Sequence, residues 1–219
     1  MLIIGKYRPF FILSSLLLFL SGCGSAPEFE SLPSLEQDAP SAGSPAPDFI
    51  LTDLENKEVR LSDYRGDYVI LEWINYECPF VKKHYDTGNM QELQNRYISK
   101  GVRWIGISSS APGKQGYFTA EEWKELAAER GSRPTHILLD PAGEVGRIYR
   151  ARTTPEIFIV DPEGILVYMG AIDDTPSRNH ADIQSAENYV VSAMNALFKG
   201  DPVAAPVTQP YGCSVKYGE

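Results

Sequence analysis

The chain reads as an α/β protein built on a central mixed, mostly parallel sheet flanked by helices, with an N-terminal β-hairpin. Strand-like and helix-like segments alternate from residue 46 to residue 199, and two mostly apolar, β-branched runs, 68–74 and 102–108, have the character of strands buried on both faces. The stretch also has the size of one domain, about 150 residues. Residues 49–52 and 58–61 flank a turn around Asn56, as in a hairpin. After the strand at 68–74 comes a helical stretch over 79–100, then the strand at 102–108. Residues 119–130 are helical, and Thr119 followed three residues later by Glu122 forms a capping box. Further strands are expected at 136–139, 156–160 and 165–171, the last two joined by the turn Asp161-Pro162-Glu163-Gly164. A closing amphipathic helix is expected over 181–198, where Ile183, Ala186, Val190, Met194 and Leu197 recur at helical spacing.

The flanks differ from this domain. Lys6 and Arg8 precede an apolar run over 10–20, which is shorter than the roughly 20 residues a spanning helix needs. The run has the length and flanks of a signal peptide, expected over 1–22. It ends in Leu20-Ser21-Gly22-Cys23, which resembles the lipobox of bacterial lipoproteins. That resemblance implies acylation of Cys23 and a lipid-anchored place in the cell envelope. The anchor would sit on the periplasmic side of an outer membrane, which Gly24 fits, or on the outer face of the cell membrane. The alternative is an ordinary secretory signal followed by a chance cysteine. Residues 23–45 are rich in Ser, Pro, Ala and Glu and read as a tether, and 200–219 as a Pro-rich tail carrying Cys213. Loss of Lys6 and Arg8 with the signal segment takes the formal net charge from −9 to −11. So acidic a surface argues against nucleic acid as a partner and leaves membrane attachment to acyl chains.

Cys78 is the centre of the expected chemistry. It follows a buried strand and precedes Pro79, a favoured first helical residue, so its thiol should face the free N–H groups and positive dipole end of a helix. Lys82 and Lys83 add to a bias toward thiolate; Glu77 opposes it. The bland reading is a buried cysteine acting as a small hydrophobe. Glu72, six residues earlier inside an apolar strand, is a candidate proton shuttle with a raised pKa, or else an edge carboxylate. His84, His136 and His180 make no ligand spacing with the cysteines, and no metal or other cofactor is expected. Gly113-Lys114-Gln115-Gly116 reads as a surface loop, Asp173 and Asp174 as a turn, and Trp73, Tyr76 and Trp104 as walls of the core or of the Cys78 pocket.

Ala46-Pro47-Asp48-Phe49, Leu61-Ser62-Asp63-Tyr64-Arg65-Gly66, Tyr68-Val69-Ile70-Leu71-Glu72-Trp73 and Cys78-Pro79, with Thr153-Thr154-Pro155-Glu156-Ile157-Phe158-Ile159-Val160-Asp161, resemble the redoxin family. This comprises the alkyl hydroperoxide reductase and thiol-specific antioxidant proteins and their thioredoxin-like lipoprotein relatives. The resemblance implies a thioredoxin-like fold over 46–199, a cis Pro155, and a loop at Thr154-Pro155 that lies against Cys78 and receives substrate. Two family patterns are broken. The second cysteine of Cys-x-x-Cys is replaced by Val81, and the Thr and Pro that shape a peroxide pocket are replaced by Asn75 and Leu71. Asn75 could still donate a hydrogen bond to a peroxide oxygen.

Cys213 completes the expected set. The tail is extended at about 3.1 Å per residue, so roughly 14 residues span on the order of 40 Å. A domain with a radius of gyration near 15 Å is about as wide, so Cys213 can reach Cys78. It would resolve a sulfenic acid or mixed disulfide on Cys78, form a permanent bridge with it, or pair with another chain. The expected function is an extracytoplasmic thiol oxidoreductase acting on a hydroperoxide or a protein disulfide, recharged by an external thiol reductant. The alternative is a membrane-tethered binding module on the same fold without redox turnover.

Overall fold

The computed structural model describes residues 39–219. The expected signal peptide, Cys23 and most of the tether lie outside the described residues. Among these residues no helix is long and apolar enough to cross a membrane.

The hairpin forms from β1 (Ile50–Asp53) and β2 (Glu58–Arg60), turned at Asn56, whose φ of 60° a β-branched residue would resist. Next come β3 (Val69–Trp73), α1 (Pro79–Asp86), α2 (Asn89–Ile98), β4 (Arg103–Ser108), α3 (Ala120–Glu129) and β5 (His136–Leu139). The chain continues through α4 (Glu144–Ile148), β6 (Thr153–Thr154), β7 (Glu156–Val160), β8 (Leu166–Gly170), α5 (Tyr189–Leu197) and β9 (Cys213–Ser214). Seven strands form one sheet in the order β2-β1-β5-β4-β3-β7-β8, and β6 pairs with β9 beside it.

The sheet is mixed, but not mostly parallel. Only β3/β4 and β4/β5 are parallel, because only these are joined by helical crossovers; β1/β2, β1/β5, β3/β7 and β7/β8 are antiparallel. Side-chain alternation along β3 divides the core. Val69, Leu71 and Trp73 face one cluster with Ile105, Tyr149 and Phe158, while Ile70 and Ile74 face the other with Trp104, Tyr85 and Cys78.

Three boundaries depart from expectation. The helix expected over 79–100 is two, broken at Gly88, whose φ of 79° is left-handed. The closing helix begins only at Tyr189, capped by Asn188; before it stands a 3-10 turn, His180–Gln184, where Ser177 and Asn179 hydrogen-bond the Asp182 carboxylate. Helix α4 is too short to carry a periodic signal, and was not anticipated. The capping box at Thr119 and Glu122 is present.

Both flanks pack. Gly43 and Ser44 hydrogen-bond Leu166 on the outer edge of β8, so the tether ends before residue 43 rather than at 45. Pro206 and Thr208 bond Met169 on the same edge, and the tail then lies across the domain to Gly218. The last strand of the sheet is thereby covered by chain from both ends.

Candidate active site

Cys78 sits where β3 gives way to α1. Ile74 N–H still bonds Ile107 O in the sheet register, Asn75 O accepts Cys78 N–H at 3.0 Å, and Cys78 takes φ −68°, ψ 125° as the cap of α1. Its thiol does not cap the helix. It donates to Thr154 O at 3.1 Å, and its side chain is 0% exposed.

Thr154 belongs to the second landmark. The Thr154–Pro155 peptide is cis, and both residues are buried. Glu156 closes this loop from within: its carboxylate accepts Arg152 N–H at 2.7 Å and Thr153 N–H at 3.0 Å. Burial pushes the Glu156 pKa up, against those two donors. This residue was missed; a Glu after the loop proline carries no signal of where its side chain turns.

Cys213 comes to the same point. β9 pairs antiparallel with β6, Cys213 opposite Thr154 and Ser214 opposite Thr153, which brings the Cys213 thiol beside Cys78. Both cysteines are free thiols. Burial, and after it the neighbouring Cys78 sulfur, push the Cys213 pKa up to about 12. Gly212 permits the approach: its φ is 145°, and a Cβ there would overlap the Thr154 carbonyl.

Glu72 is fully buried on the Cys78 side of β3, but its hydrogen bonds go elsewhere. Trp104 Nε1–H donates to it at 2.8 Å and Tyr85 O–H at 3.1 Å; Gln94 donates in turn to Tyr85. Burial raises its pKa from 4.5 to about 7 against those donors. Asn75 is also turned away from the thiol. Its Oδ1 accepts Glu77 N–H at 2.9 Å and its Nδ2 donates to Gln115 O at 3.4 Å, while Glu77 accepts Gly116 N–H. The amide thus fastens the 113–116 loop beneath the site instead of presenting a donor to a peroxide.

One other expectation changes. Lys83 is not a free charge near Cys78: it is 0% exposed, 3.3 Å from Asp173 and donating to Thr175 O. His84, on the same helix, is buried beside Asp173 and Tyr211, with its pKa lowered to about 4 chiefly by burial. Among the described residues no cluster of three or more His, Cys, Asp or Glu is arranged to hold a metal ion.

A thiol at a strand–helix junction, facing a cis-proline loop on a mixed sheet, defines a thioredoxin-fold thiol redox protein. Residues 42–169 match the AhpC/TSA family model, and the chain belongs to that family. It is 33% identical over 129 residues to the thiol-disulfide oxidoreductase ResA of Geobacillus kaustophilus, covering 59% of this chain and 68% of that relative. Against ResA of Bacillus subtilis it is 26% identical over 175 residues, 80% of this chain and 92% of the relative. A conserved uncharacterized protein of Geobacillus kaustophilus superposes with a TM-score of 0.68 at 30% identity, covering 83% of this chain and 94% of that one. A hypothetical protein of Sinorhizobium meliloti shares the fold at TM-score 0.67 and 24% identity, covering 83% of this chain and 97% of that one.

Proposed function

We propose that the protein is an extracytoplasmic, lipid-anchored thiol–disulfide oxidoreductase whose working couple is Cys78 and Cys213. The observation that carries this is the meeting of both thiols at one residue: Cys78 donates to the Thr154 carbonyl while Cys213 pairs opposite Thr154 in β9. The relatives' name, thiol-disulfide oxidoreductase, supports the reaction class.

Cys78, as thiolate, attacks one sulfur of a protein disulfide. A new S–S bond forms, and the partner's other sulfur leaves as a thiolate that takes up a proton. Once Cys78 is bonded to the partner, its negative charge no longer raises the Cys213 pKa, so Cys213 loses its proton more readily. Cys213 then attacks Cys78, closes the intramolecular disulfide and releases the partner as a dithiol. An external thiol reductant returns the pair to the dithiol state. Glu72, with a pKa near neutrality, is the buried acid on the Cys78 side of β3, and its part in proton transfer would need a path beyond its bonds to Trp104 and Tyr85. Thr154 and Pro155 would receive the substrate chain. Asn75 takes a supporting part, holding the loop below the site.

Hydrogen peroxide is the second oxidant to consider, because a fully buried Cys78 is reached more easily by a small molecule than by a protein. It would oxidise Cys78 to a sulfenic acid, whose oxygen leaves as water when Cys213 closes the bridge.

The test is a thiol count and peptide map of the reduced protein after oxidised glutathione and, separately, one equivalent of peroxide. Joint loss of Cys78 and Cys213 into one bridge is expected, and Cys213→Ser should trap glutathione on Cys78. Thiols that ignore both oxidants, or a bridge that resists millimolar dithiothreitol, would leave only the binding module.

A further inference from the structure

The tail is held immediately before Cys213 by a buried polar cluster that neither cysteine uses. Tyr211 O–H donates to Asp173 Oδ1, which also accepts Thr175 N–H at 2.9 Å. Asp173 Oδ2 faces Lys83 Nζ at 3.3 Å. The Lys83 ammonium stands 5.6 Å from the centre of the Tyr211 ring, and Phe80 packs edge-on against that ring at 5.8 Å. His84 Nδ1 pairs with the Asn89 amide at 2.9 Å, which leaves Nε2–H to donate to Tyr211 OH at 3.4 Å. Phe80, Lys83 and His84 all stand on α1, the helix that starts after Cys78. One helix therefore carries the first thiol at its N-terminus and the mooring of the second thiol's strand along its side.

This is an unusual way to hold a tail that needs only to stay attached. Burying Lys83 and Asp173 removes two charges from water, and apolar side chains of like volume would hold a chain at least as firmly. What a buried polar cluster adds is register: Tyr211 has one place where its hydroxyl is satisfied, and a slip of one residue leaves Asp173 without it. In that one register Gly212 reaches the Thr154 carbonyl, and Cys213 falls opposite Thr154.

We propose that Tyr211 is the positioning residue of the Cys78–Cys213 couple: moored on Asp173 beside α1, it sets the register of the tail on β6, holds Cys213 at Cys78, and closes Cys78 to any reactant that must enter as an extended chain. The inference rests on the reading that these two thiols are the reacting pair. It assigns the edge of β6 in the dithiol protein to the tail, so a polypeptide disulfide engages only after the chain around Tyr211 has peeled back. Tail and partner compete for the Thr153–Thr154 edge.

The test uses Tyr211→Phe in the full chain, which keeps the ring against Phe80 and leaves Asp173 Oδ1 its bond from Thr175 N–H. In a Cys213→Ser background, labelling of Cys78 by a polymer-bearing maleimide should rise about tenfold. With both cysteines present, closure of the bridge from a glutathione-loaded Cys78 should slow about tenfold, because the effective concentration of Cys213 falls. General loosening of the fold would show as a lowered melting midpoint and faster labelling of buried sites elsewhere, without this pair of opposed changes. If Tyr211→Phe does not fold, Gly212→Ala attacks the same register at Thr154, away from the cluster, and is read the same way. Unchanged labelling and unchanged closure, in a protein whose wild type forms the bridge, overturn the role of Tyr211. A wild type that never forms the bridge instead overturns the two-thiol reading.

Discussion

The two cysteines meet from regions built on opposite principles. Cys78 stands at the end of β3, every residue of which is buried, and starts a helix that packs into the main core; its place is set by apolar burial on both sides of the sheet. Cys213 stands on a tail that only rests against the core, through half-buried Tyr211, Cys213 and Val215. That segment is placed by backbone pairing with β6 and β8, by the Tyr211–Asp173 contact, and by Tyr217, whose hydroxyl donates to Ala151 O at 2.7 Å and whose ring lies against Gly143 and Gly146 under Arg147. Apolar burial is non-directional and strong, and polar pairing is directional and weak in net terms. The first suits a thiol that must stay still, the second one whose carrier must come and go.

The sharpest way to break that comparison is to remove each sulfur in turn. Cys78→Ser should abolish disulfide exchange altogether. Cys213→Ser should retain a single attack and stall as a mixed disulfide, with multiple-turnover rate lowered about a hundredfold or more, since it removes an intramolecular step. Equal loss in both variants at the first attack, read by single-turnover trapping, would make the sites equivalent and the distinction empty.

Glu72 tests the Cys78 region. Its folded pKa, about 7, is raised above the unfolded value of 4.5, so the native state binds the extra proton and stability falls as pH rises between those values. On the order of 3 kcal/mol should be lost between pH 4.5 and pH 8, and Glu72→Gln should flatten that slope while leaving the low-pH stability similar. Urea titrations across the range give the answer; a wild-type curve that does not fall over this interval removes Glu72 as a buried acid.

Tyr217→Ala tests the tail. It should cost about 2 kcal/mol or less in global stability, the scale of burying one aromatic side chain. It should nonetheless expose the residues after Cys213 to amide exchange before anything in β3 exchanges. Simultaneous exchange of β3 and β9 would show one cooperative unit. The smallest effect is expected of Glu156→Gln. The amide can still accept a backbone donor, so a loss of about 1 kcal/mol is expected, with thermal melting as the measure.

Much of the Cys78 region was legible in the sequence because its signals are local. Two uninterrupted apolar runs identify buried strands, Cys-Pro marks a helix start, and Thr119 with Glu122 marks another. The mixed direction of the sheet was less legible, since the pairing partner of β1 and β7 is a matter of which strands meet. Asn75 was assigned by its place in the family pattern and Lys83 by its distance along the chain from Cys78, yet the fold turns one toward the 113–116 loop and the other toward Asp173. Glu156 and Tyr211 gave no sign at all: their roles lie in contacts with Arg152 and Asp173, which neither periodicity nor a motif encodes.

By itself the sequence determined the α/β class and the place of Cys78 at a strand–helix junction, because burial patterns and a helix-starting Cys-Pro are written within a few residues of chain; the loop at Thr154-Pro155 was legible only through the family resemblance. That Cys213 could reach Cys78 was also readable, as a matter of chain length. Only the tertiary structure decided that it does so as a strand on β6, with Gly212 against the Thr154 carbonyl and Tyr211 on a buried Asp173. Those contacts join residues far apart in sequence through directional bonds, and directional bonds exist only once the core has placed both partners.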